Sequence, residues 1–361
     1  MVGNNKKLKT TFDRIGKRWK ECINNVSENE KEISEKFIPS TSFDIYHQEY
    51  HEAKKLEQKL LKKYKGKTLE HVINGNELET EKGVCYNIEN QENINLKTIN
   101  SDQAIKKILS DLKLIDGIEE ITEHNLKANG YKTIDDLTKH PCFASKAKEI
   151  LKIVYKKDSC QIVDYIRQRP FPKSRPLAFY PSGFHEKEDF IFFDIETMGF
   201  FNVPIILFGV AQISGDQILT NQYLLRDIKE EPAALLGFLS QINKNSVFIT
   251  FNGLTFDIPY VKGRLAYYRM KADLEIPHFD MRHFSRRAWR EKIPNCKLST
   301  LEKYLFGVER KDDVPGALVP DFYETYMRTR NIGPIIPIIE HNKQDLISIA
   351  NVFSKLHEKW S

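Results

Sequence analysis

Apolar and polar positions follow different patterns along this 361-residue chain, and the differences predict separate kinds of structure. Residues 1–45 are polar and weakly periodic, which predicts a basic flexible arm with one helix around 12–22. Apolar residues recur at helical spacing over 46–64, and Gly66 should end that helix. Residues 69–95 hold short apolar runs between glycine turns, a pattern typical of short strands.

The stretch 101–166 is helical by its periodicity and is interrupted by glycine turns. Within it, 112–118 leads into a helix, and Asp136 follows Thr133 at the spacing of a capping box. This arrangement resembles a helix-hairpin-helix module, which in its family binds the DNA backbone through hairpin amides. Glu119 replaces the second hairpin glycine of that motif, so a purely structural helical hairpin is the alternative.

Four prolines between residues 167 and 185 predict an extended linker and a domain boundary. Beyond it, apolar runs at 190–195, 205–213 and 218–224 predict three strands in meander order. A helix, a fourth strand at 247–251 and further helices follow. This order predicts an α/β domain with the ribonuclease H-like topology, in which helices flank a mixed sheet.

The sequence predicts five regions, and the net charge of residues 181–361 differs from that of the remainder. They are a basic flexible arm (1–45), a helix with a small β segment (46–100), a helix-hairpin-helix-like helical region (101–166), a Pro-rich linker (167–185) and the ribonuclease H-like domain (186–361). Residues 181–361 contain 22 basic and 23 acidic residues, whereas the remainder contains 33 and 27. This difference in charge suits a protein that binds an anionic polymer with one part and processes it with another. It also suits a basic surface that only keeps the protein soluble.

The composition argues against several classes of protein, including membrane-spanning and disulfide-rich ones. The chain is 40% hydrophobic and 29% charged, and no apolar run approaches the roughly 18 residues of a membrane span. Its first residues lack the apolar segment of a secretory signal. Five dispersed cysteines, without a Cys-x-x-Cys pair, argue against a disulfide framework or a zinc ribbon. We therefore expect a cytoplasmic protein with no membrane partner.

Carboxylates occur where predicted apolar strands end. Asp194 and Glu196 are two residues apart on one strand, so they share a face just after the run 190–193. Neighbouring carboxylates repel each other, and a divalent cation that prefers oxygen ligands, Mg²⁺ or Mn²⁺, would relieve the repulsion. An exposed strand end with solvated acids is the simpler alternative.

Two later segments extend this pattern. Asp257 follows the strand 247–251 and its turn, which places a third carboxylate at the carboxyl edge of the strands. His341 and Asp345 are four residues apart on a predicted helix, so they share one face. Taken alone, Asp257 also fits a helix cap, and the His–Asp step also fits a surface pair.

In combination the three segments resemble the DEDD superfamily of 3′–5′ exonucleases. Asp-x-Glu follows one strand, Asn-x-x-x-Phe-Asp follows another, and His-x-x-x-Asp lies on a late helix. The four-residue His341–Asp345 step is similar to that of the YprB-type ribonuclease H-like exonucleases, over about residues 189–356. Further matches are Phe279-Asp280, Leu298-Ser299-Thr300-Leu301-Glu302 and Asp313-Val314-Pro315-Gly316.

The resemblance implies a metal-dependent 3′–5′ exonuclease that acts on DNA. Asp194, Glu196, Asp257 and Asp345 would then bind two Mg²⁺ or Mn²⁺ ions, and His341 would orient or deprotonate the attacking water. Because the family includes a DNA exonuclease associated with a helicase, it also implies DNA repair and a helicase partner. An RNA exonuclease and a catalytically silent nucleic-acid-binding adaptor are the alternatives, although none of the four acids is missing.

Cations and aromatic residues are mixed between residues 279 and 292. Arginines bind phosphates and aromatics stack on unpaired bases, which suits a single-stranded 3′ end. An amphipathic helix with a buried Phe284 and Trp289 and solvated arginines is the alternative. The predicted substrate-binding residues are Thr197, Asn252, Phe256, Arg282, Arg286, Arg287, Trp289 and Arg290.

Overall fold

A mixed sheet of seven strands organises the part of the chain that the computed structural model describes, residues 41–169, 174–199 and 202–361. The strand order is β1-β2-β5-β4-β3-β6-β7. The first five strands of this order, β1-β2-β5-β4-β3, are antiparallel to their neighbours. β6 runs parallel to β3, and β7 runs parallel to β6. The strands are Asn76–Thr80 (β1), Gly83–Asn93 (β2), Phe190–Thr197 (β3), Ile205–Ser214 (β4), Gln217–Leu224 (β5), Val247–Thr250 (β6) and His278–Asp280 (β7).

Helices precede, separate and follow these strands. In chain order the α-helices are Thr41–Lys63 (α1), Ser101–Leu109 (α2), Glu120–Ala128 (α3), Ala144–Tyr155 (α4), Ser159–Arg167 (α5), Glu231–Ser240 (α6), Asp257–Tyr267 (α7), Met281–Trp289 (α8), Leu298–Leu301 (α9), Val319–Thr329 (α10) and Ile336–Trp360 (α11). The π-helical turn Glu302–Phe306 continues α9. No helix of the described residues is long and apolar enough to cross a membrane.

The sheet and its flanking helices confirm the ribonuclease H-like prediction for the C-terminal half. The four predicted strands agree with β3, β4, β5 and β6 to within two residues at each end. β3 lies inside the sheet and is apolar on both faces, since Phe190, Phe192 and Phe193 are all fully buried. The sequence did not predict β7, because three residues are too few to show a period.

Strands β1 and β2 belong to the same sheet as the strands of the C-terminal half. β2 pairs with β5 along eight residues, from Tyr86 opposite Leu224 to Asn93 opposite Gln217. The small β segment predicted within 46–100 therefore extends the ribonuclease H-like sheet instead of forming a region of its own. Its hairpin was visible in the sequence, but its pairing partner lies more than a hundred residues away.

The region 101–166 is helical, as predicted, and its turns use the residues that the sequence indicates. Gly117 adopts a left-handed conformation with φ 89° before α3. Thr133 and Asp136 form the predicted reciprocal contacts: Asp136 accepts from the Thr133 amide at 2.8 Å, and its own amide donates to Thr133 Oγ1 at 3.3 Å. Glu119 is exposed at the start of α3. Nucleic-acid binding by this hairpin stays a prediction.

The predicted extended linker differs from the structure over its described residues. Residues 176–178 and 180–184 form 3₁₀ turns, and Phe179 between them is fully buried. Its ring packs against Phe284 at 5.1 Å and Phe353 at 5.5 Å between centroids. This apolar anchor outweighs the tendency of prolines to keep a chain extended, and residues 56–361 form one compact unit. The predicted basic arm and its helix at 12–22 lie outside the described residues.

Candidate active site

Two carboxylates of the candidate site lie at the carboxyl end of β3. The apolar residues of β3 are buried up to Phe193, and Asp194 and Glu196 follow on one face of the strand. Asp194 lies opposite Gly209 of β4, and the register shifts after Glu196. Because β3 and β6 are parallel, the ends of both strands meet at the same edge of the sheet.

The third carboxylate enters from the next strand along that edge. Asp257 is the first residue of α7, after the turn that follows β6. Its Oδ1 accepts a hydrogen bond from the Ile195 amide at 3.2 Å, so the side chain lies between Asp194 and Glu196 along β3. Asp257 is only 4% exposed. The predicted helix-cap alternative therefore does not account for it, because it bonds to a neighbouring strand.

Helix α11 brings the remaining residues. Asn342 Nδ2 donates to Asp194 Oδ2 at 2.9 Å. His341 Nε2 lies 4.0 Å from Glu196 Oε1 and 3.6 Å from Asp345 Oδ2. The structure thus brings together all five residues that the sequence predicted as catalytic. Below, the carboxylate cluster means Asp194, Glu196, Asp257 and Asp345.

Burial and mutual repulsion raise the pKa of these acids. Burial raises the pKa of Glu196 to about 7, although His341 opposes the rise, and burial also raises the pKa of Asp257 to about 7. Burial, followed by the charges of Asp345 and Asp257, holds the pKa of Asp194 well above its usual range. The cluster therefore concentrates more negative charge than its surroundings neutralise.

Arg310 is a cation beside the cluster that the sequence did not reveal. Its side chain is 10% exposed, and its guanidinium bonds to one oxygen of Asp345. The same group donates from Nε to Glu302 Oε2 at 2.7 Å and from a terminal nitrogen to Glu302 Oε1 at 2.5 Å. Because Glu302 is 1% exposed, this two-point bond fixes Arg310 against the π-helical turn.

His341 has a carboxylate partner on its other ring nitrogen. Asp313 Oδ1 lies 2.6 Å from His341 Nδ1. Burial lowers the pKa of His341, but the bond to Asp313 and the charges of Asp345 and Glu196 outweigh burial and raise it to about 9. The sequence predicted His341 from its spacing to Asp345, whereas Asp313 appeared only as part of a family motif.

The donor set suits a hard divalent cation. Within the described ranges, no group of three or more His, Cys, Asp or Glu side chains is arranged to hold a metal ion as it stands. In this arrangement Asn342 bonds to Asp194 and Arg310 neutralises Asp345. The cluster nevertheless consists of oxygen ligands alone, and its raised pKa values indicate a demand for positive charge, so its chemistry fits Mg²⁺ or Mn²⁺.

Asp280 shapes the turn that leads to Asp257. Its Oδ1 accepts from the Asn252 amide at 2.8 Å, and its Oδ2 accepts from the Leu254 amide at 3.2 Å. Asn252 has φ 78°, a conformation that asparagine tolerates better than most residues. Arg282 donates to Asn252 Oδ1 at 2.6 Å. This turn leaves Leu254 38% exposed.

Thr197, Phe256 and Trp289 differ from the arginines among the predicted substrate-binding residues, because their side chains are buried or half-buried. Thr197 donates locally to the Gly199 carbonyl at 2.8 Å, and the half-buried Phe256 ring packs near Tyr260. Trp289 is only 6% exposed, so the helix-core alternative applies to it, and stacking on a base is not available. It is buried because its spacing on α8 places it on the core side with Phe284.

The arginines of α8, and Arg290 at its C-cap, are exposed, in contrast to Trp289. Among the described residues no carboxylate forms an ion pair with Arg286, Arg287 or Arg290. They border a groove of about 710 Å³, called the α8 groove below. It is lined by Ser174, His283, Arg286, Arg287, Ala288, Arg290, Glu291 and Lys292.

Comparisons with known proteins locate the similarity in the same part of the chain. A family model described as the RNase_H superfamily matches residues 191–357, from β3 to α11, which include the whole carboxylate cluster and His341. Over 180 residues the chain is 32% identical to the uncharacterized protein YprB of Bacillus subtilis (strain 168). That alignment covers 48% of this chain and 43% of YprB, so the chain matches less than half the length of this relative.

Proposed function

Because residues 191–357 form a ribonuclease H-like domain of the YprB type, we propose that this protein is a metal-dependent 3′–5′ exonuclease acting on DNA. One observation carries the proposal. Four carboxylates and a histidine from β3, α7 and α11 meet at one edge of the sheet, with pKa values shifted by burial and by each other. Such shifts are costly in a folded core and are typical of functional sites.

The chemistry assigns a role to each group. Asp194, Glu196, Asp257 and Asp345 would hold two divalent ions, which supply electrostatic stabilisation of the charged transition state. His341, with Nε2 directed at Glu196 and Asp345, would orient the attacking water. It would accept the proton in its neutral form, which cations that neutralise Asp345 and Glu196 would favour, because the charges of those two acids raise its pKa. Asn342 keeps the Asp194 carboxylate in place through its amide.

The α8 arginines support a single-stranded substrate that enters with its 3′ end. α8 begins directly after β7, at the same sheet edge as the cluster, and leads away from it. Arg282 bonds to Asn252 beside the cluster, and Arg286 and Arg290 follow at steps of four residues, about 6 Å each. A row of unpaired arginines at this spacing would bind successive phosphates upstream of the terminal nucleotide.

The choice of DNA, a role in DNA repair and a helicase partner rest on the family resemblance. Retention of all four acids argues against the silent adaptor. Parallel degradation of matched DNA and RNA strands distinguishes the two polymers. Co-purification of a helicase with the tagged protein would support the partner, and its absence from such preparations would count against it.

A 5′-labelled single-stranded oligonucleotide tests the proposed activity. With Mg²⁺ or Mn²⁺, the wild type should shorten it stepwise from the 3′ end, and a nuclease-resistant linkage at the 3′ terminus should stop the reaction. Asp194→Asn should lower the rate by at least about 100-fold, because the isosteric amide removes a metal-binding charge.

Asp216→Asn is the matched control. It makes the same change in the turn between β4 and β5, at the opposite edge of the sheet, where the Asp216 side chain is fully exposed. Its rate should equal that of the wild type. Equal loss of substrate with wild type and Asp194→Asn, or shortening from the 5′ end, would contradict the proposal.

A further inference from the structure

The loop between Gly307 and Pro315 carries a carboxylate that reaches the candidate general base. Asp313 Oδ1 lies 2.6 Å from His341 Nδ1, although the two residues are 28 positions apart. Burial raises the pKa of Asp313, but the bond to His341 outweighs burial and holds it below its usual value. An ionised carboxylate can only accept hydrogen bonds, so Nδ1 of His341 carries the proton of this bond.

A second neighbour of the same nitrogen does not alter this assignment. Arg310 Nη1 lies 3.1 Å from His341 Nδ1 and 3.8 Å from Asp313 Oδ2. A guanidinium and a protonated ring nitrogen are both donors, so they cannot bond to each other. The Arg310 charge therefore acts on the ionised Asp313 carboxylate and stabilises it.

With Nδ1 committed to Asp313, the other ring nitrogen faces the carboxylate cluster. Nε2 lies 3.6 Å from Asp345 Oδ2 and 4.0 Å from Glu196 Oε1. We propose that Asp313 is a positioning residue, which fixes the ring orientation and tautomer of His341 so that Nε2 faces Asp345 and Glu196. The catalytic consequence rests on the proposed nuclease function, whereas the hydrogen bond does not.

The loop is held firmly enough for this role. Val314, next to Asp313, is fully buried, and Arg310 is fixed by its two-point bond to Glu302. On the other side of Asp313, Asp312 pairs with Lys59 at the surface, where both side chains are more than 60% exposed. Adjacent aspartates thus have different environments, which provides a matched control.

Two readouts test the proposal. In metal-free protein with ¹⁵N-labelled histidine, His341 should give a far-downfield Nδ1 proton resonance, assigned by its absence from His341→Gln, and Asp313→Ala should abolish it. In the nuclease assay Asp313→Ala should lower kcat by about 10- to 100-fold with little change in KM, because an orienting partner acts on the chemical step. Asp313→Asn, which keeps an acceptor, should recover part of that loss.

Asp312→Asn should leave the resonance and kcat unchanged. Unchanged kcat in a folded Asp313→Ala protein, a resonance that persists in it, or an equal loss in Asp312→Asn would overturn the proposal. If the wild type degrades no nucleic acid, the proposed function fails, and the resonance alone decides whether Asp313 positions His341.

Discussion

At the scale of single residues, the fold holds buried carboxylates of the candidate site close enough to repel one another. Glu196 is 8% exposed and Asp257 is 4% exposed, yet neither carboxylate has an arginine or lysine partner among the described residues. Buried acids without cations cost stability and seldom serve packing. Their presence is explained if a divalent cation offsets the repulsion during function.

Glu196→Gln should therefore stabilise the metal-free protein while it abolishes activity. The folded pKa of Glu196, about 7, lies above its ordinary 4.5, so stability is lost as pH rises through this interval. Removing the charge should raise the unfolding free energy by up to about 3 kcal/mol at pH 8, and by much less at pH 5. Chemical denaturation in the presence of a chelator measures this.

The control is Glu188→Gln, since Glu188 is exposed just before β3. This substitution should give no pH-dependent gain in unfolding free energy. A Glu196→Gln protein that is no more stable than the wild type at pH 8 would show that the cluster is not strained.

Whether a residue of the site could be predicted depended on its position in the sequence. Asp194, Glu196 and Asp257 could be predicted because each interrupts or follows an apolar strand, and His341 and Asp345 because a helix places them on one face. Arg310 and Asp313 lie on a loop without periodicity. Their roles depend on where that loop contacts α11, which local patterns do not encode.

At the scale of secondary-structure elements, close packing of α11 on β4 fixes the site. Gly209 of β4 leaves room for Asn342, whose Oδ1 also accepts from Gln222 Nε2 at 2.9 Å. A Cβ at Gly209 would lie 2.1 Å from Asn342 Oδ1. The helix can therefore approach the sheet closely enough for the Asn342 amide to reach Asp194.

Gly209→Ala should destabilise the protein by about 1–3 kcal/mol and reduce nuclease activity, because Asn342 must move. Gly263→Ala offers a matched control inside α7, where no atom lies within 4 Å of an added Cβ. This second change should instead stabilise by about 0.5–1 kcal/mol. Thermal melts and the oligonucleotide assay measure both effects, and equal stability of the two variants would contradict the packing argument.

Helix α8 should act through charge alone, because its aromatic residues are buried. Arg286→Ala and Arg290→Ala should each weaken binding of a single-stranded oligonucleotide in the absence of metal. Each should also reduce the slope of log affinity against log salt by about 0.7, the value for one phosphate contact. Fluorescence anisotropy over a salt series measures the slope.

Arg328→Ala, an exposed arginine on α10 outside the α8 groove, should leave the salt slope unchanged. Identical slopes for all three variants and the wild type would show that the substrate does not follow α8.

At the scale of the whole molecule, His357 joins segments that the sequence assigns to separate regions. Its Nδ1 accepts from the Ile99 amide at 3.3 Å, and its Nε2 lies 3.3 Å from Ser182 Oγ. Phe179 and Phe353 pack on its ring. The sequence predicted the last helix, but it predicted the proline-rich stretch as an extended linker, and nothing local indicated that this stretch would form 3₁₀ turns and pack against that helix.

A fall in pH should therefore lower the free energy of unfolding through His357. Burial lowers the pKa of His357 to about 3, so the unfolded chain binds a proton from about pH 6.5 downwards while the folded protein does not. Between pH 6.5 and 5 this costs about 2 kcal/mol of unfolding free energy. His357→Gln should flatten this part of the stability curve in denaturant titrations, and parallel curves for the two proteins would contradict the assignment.

The central claim is that the carboxylate cluster holds divalent metal ions for phosphodiester hydrolysis. An anomalous-difference map of crystals soaked in Mn²⁺ tests it most directly. We predict two peaks, about 3.5–4 Å apart, among Asp194, Glu196, Asp257 and Asp345, and their loss in Asp194→Asn crystals. A map without a peak among these four carboxylates would contradict the account.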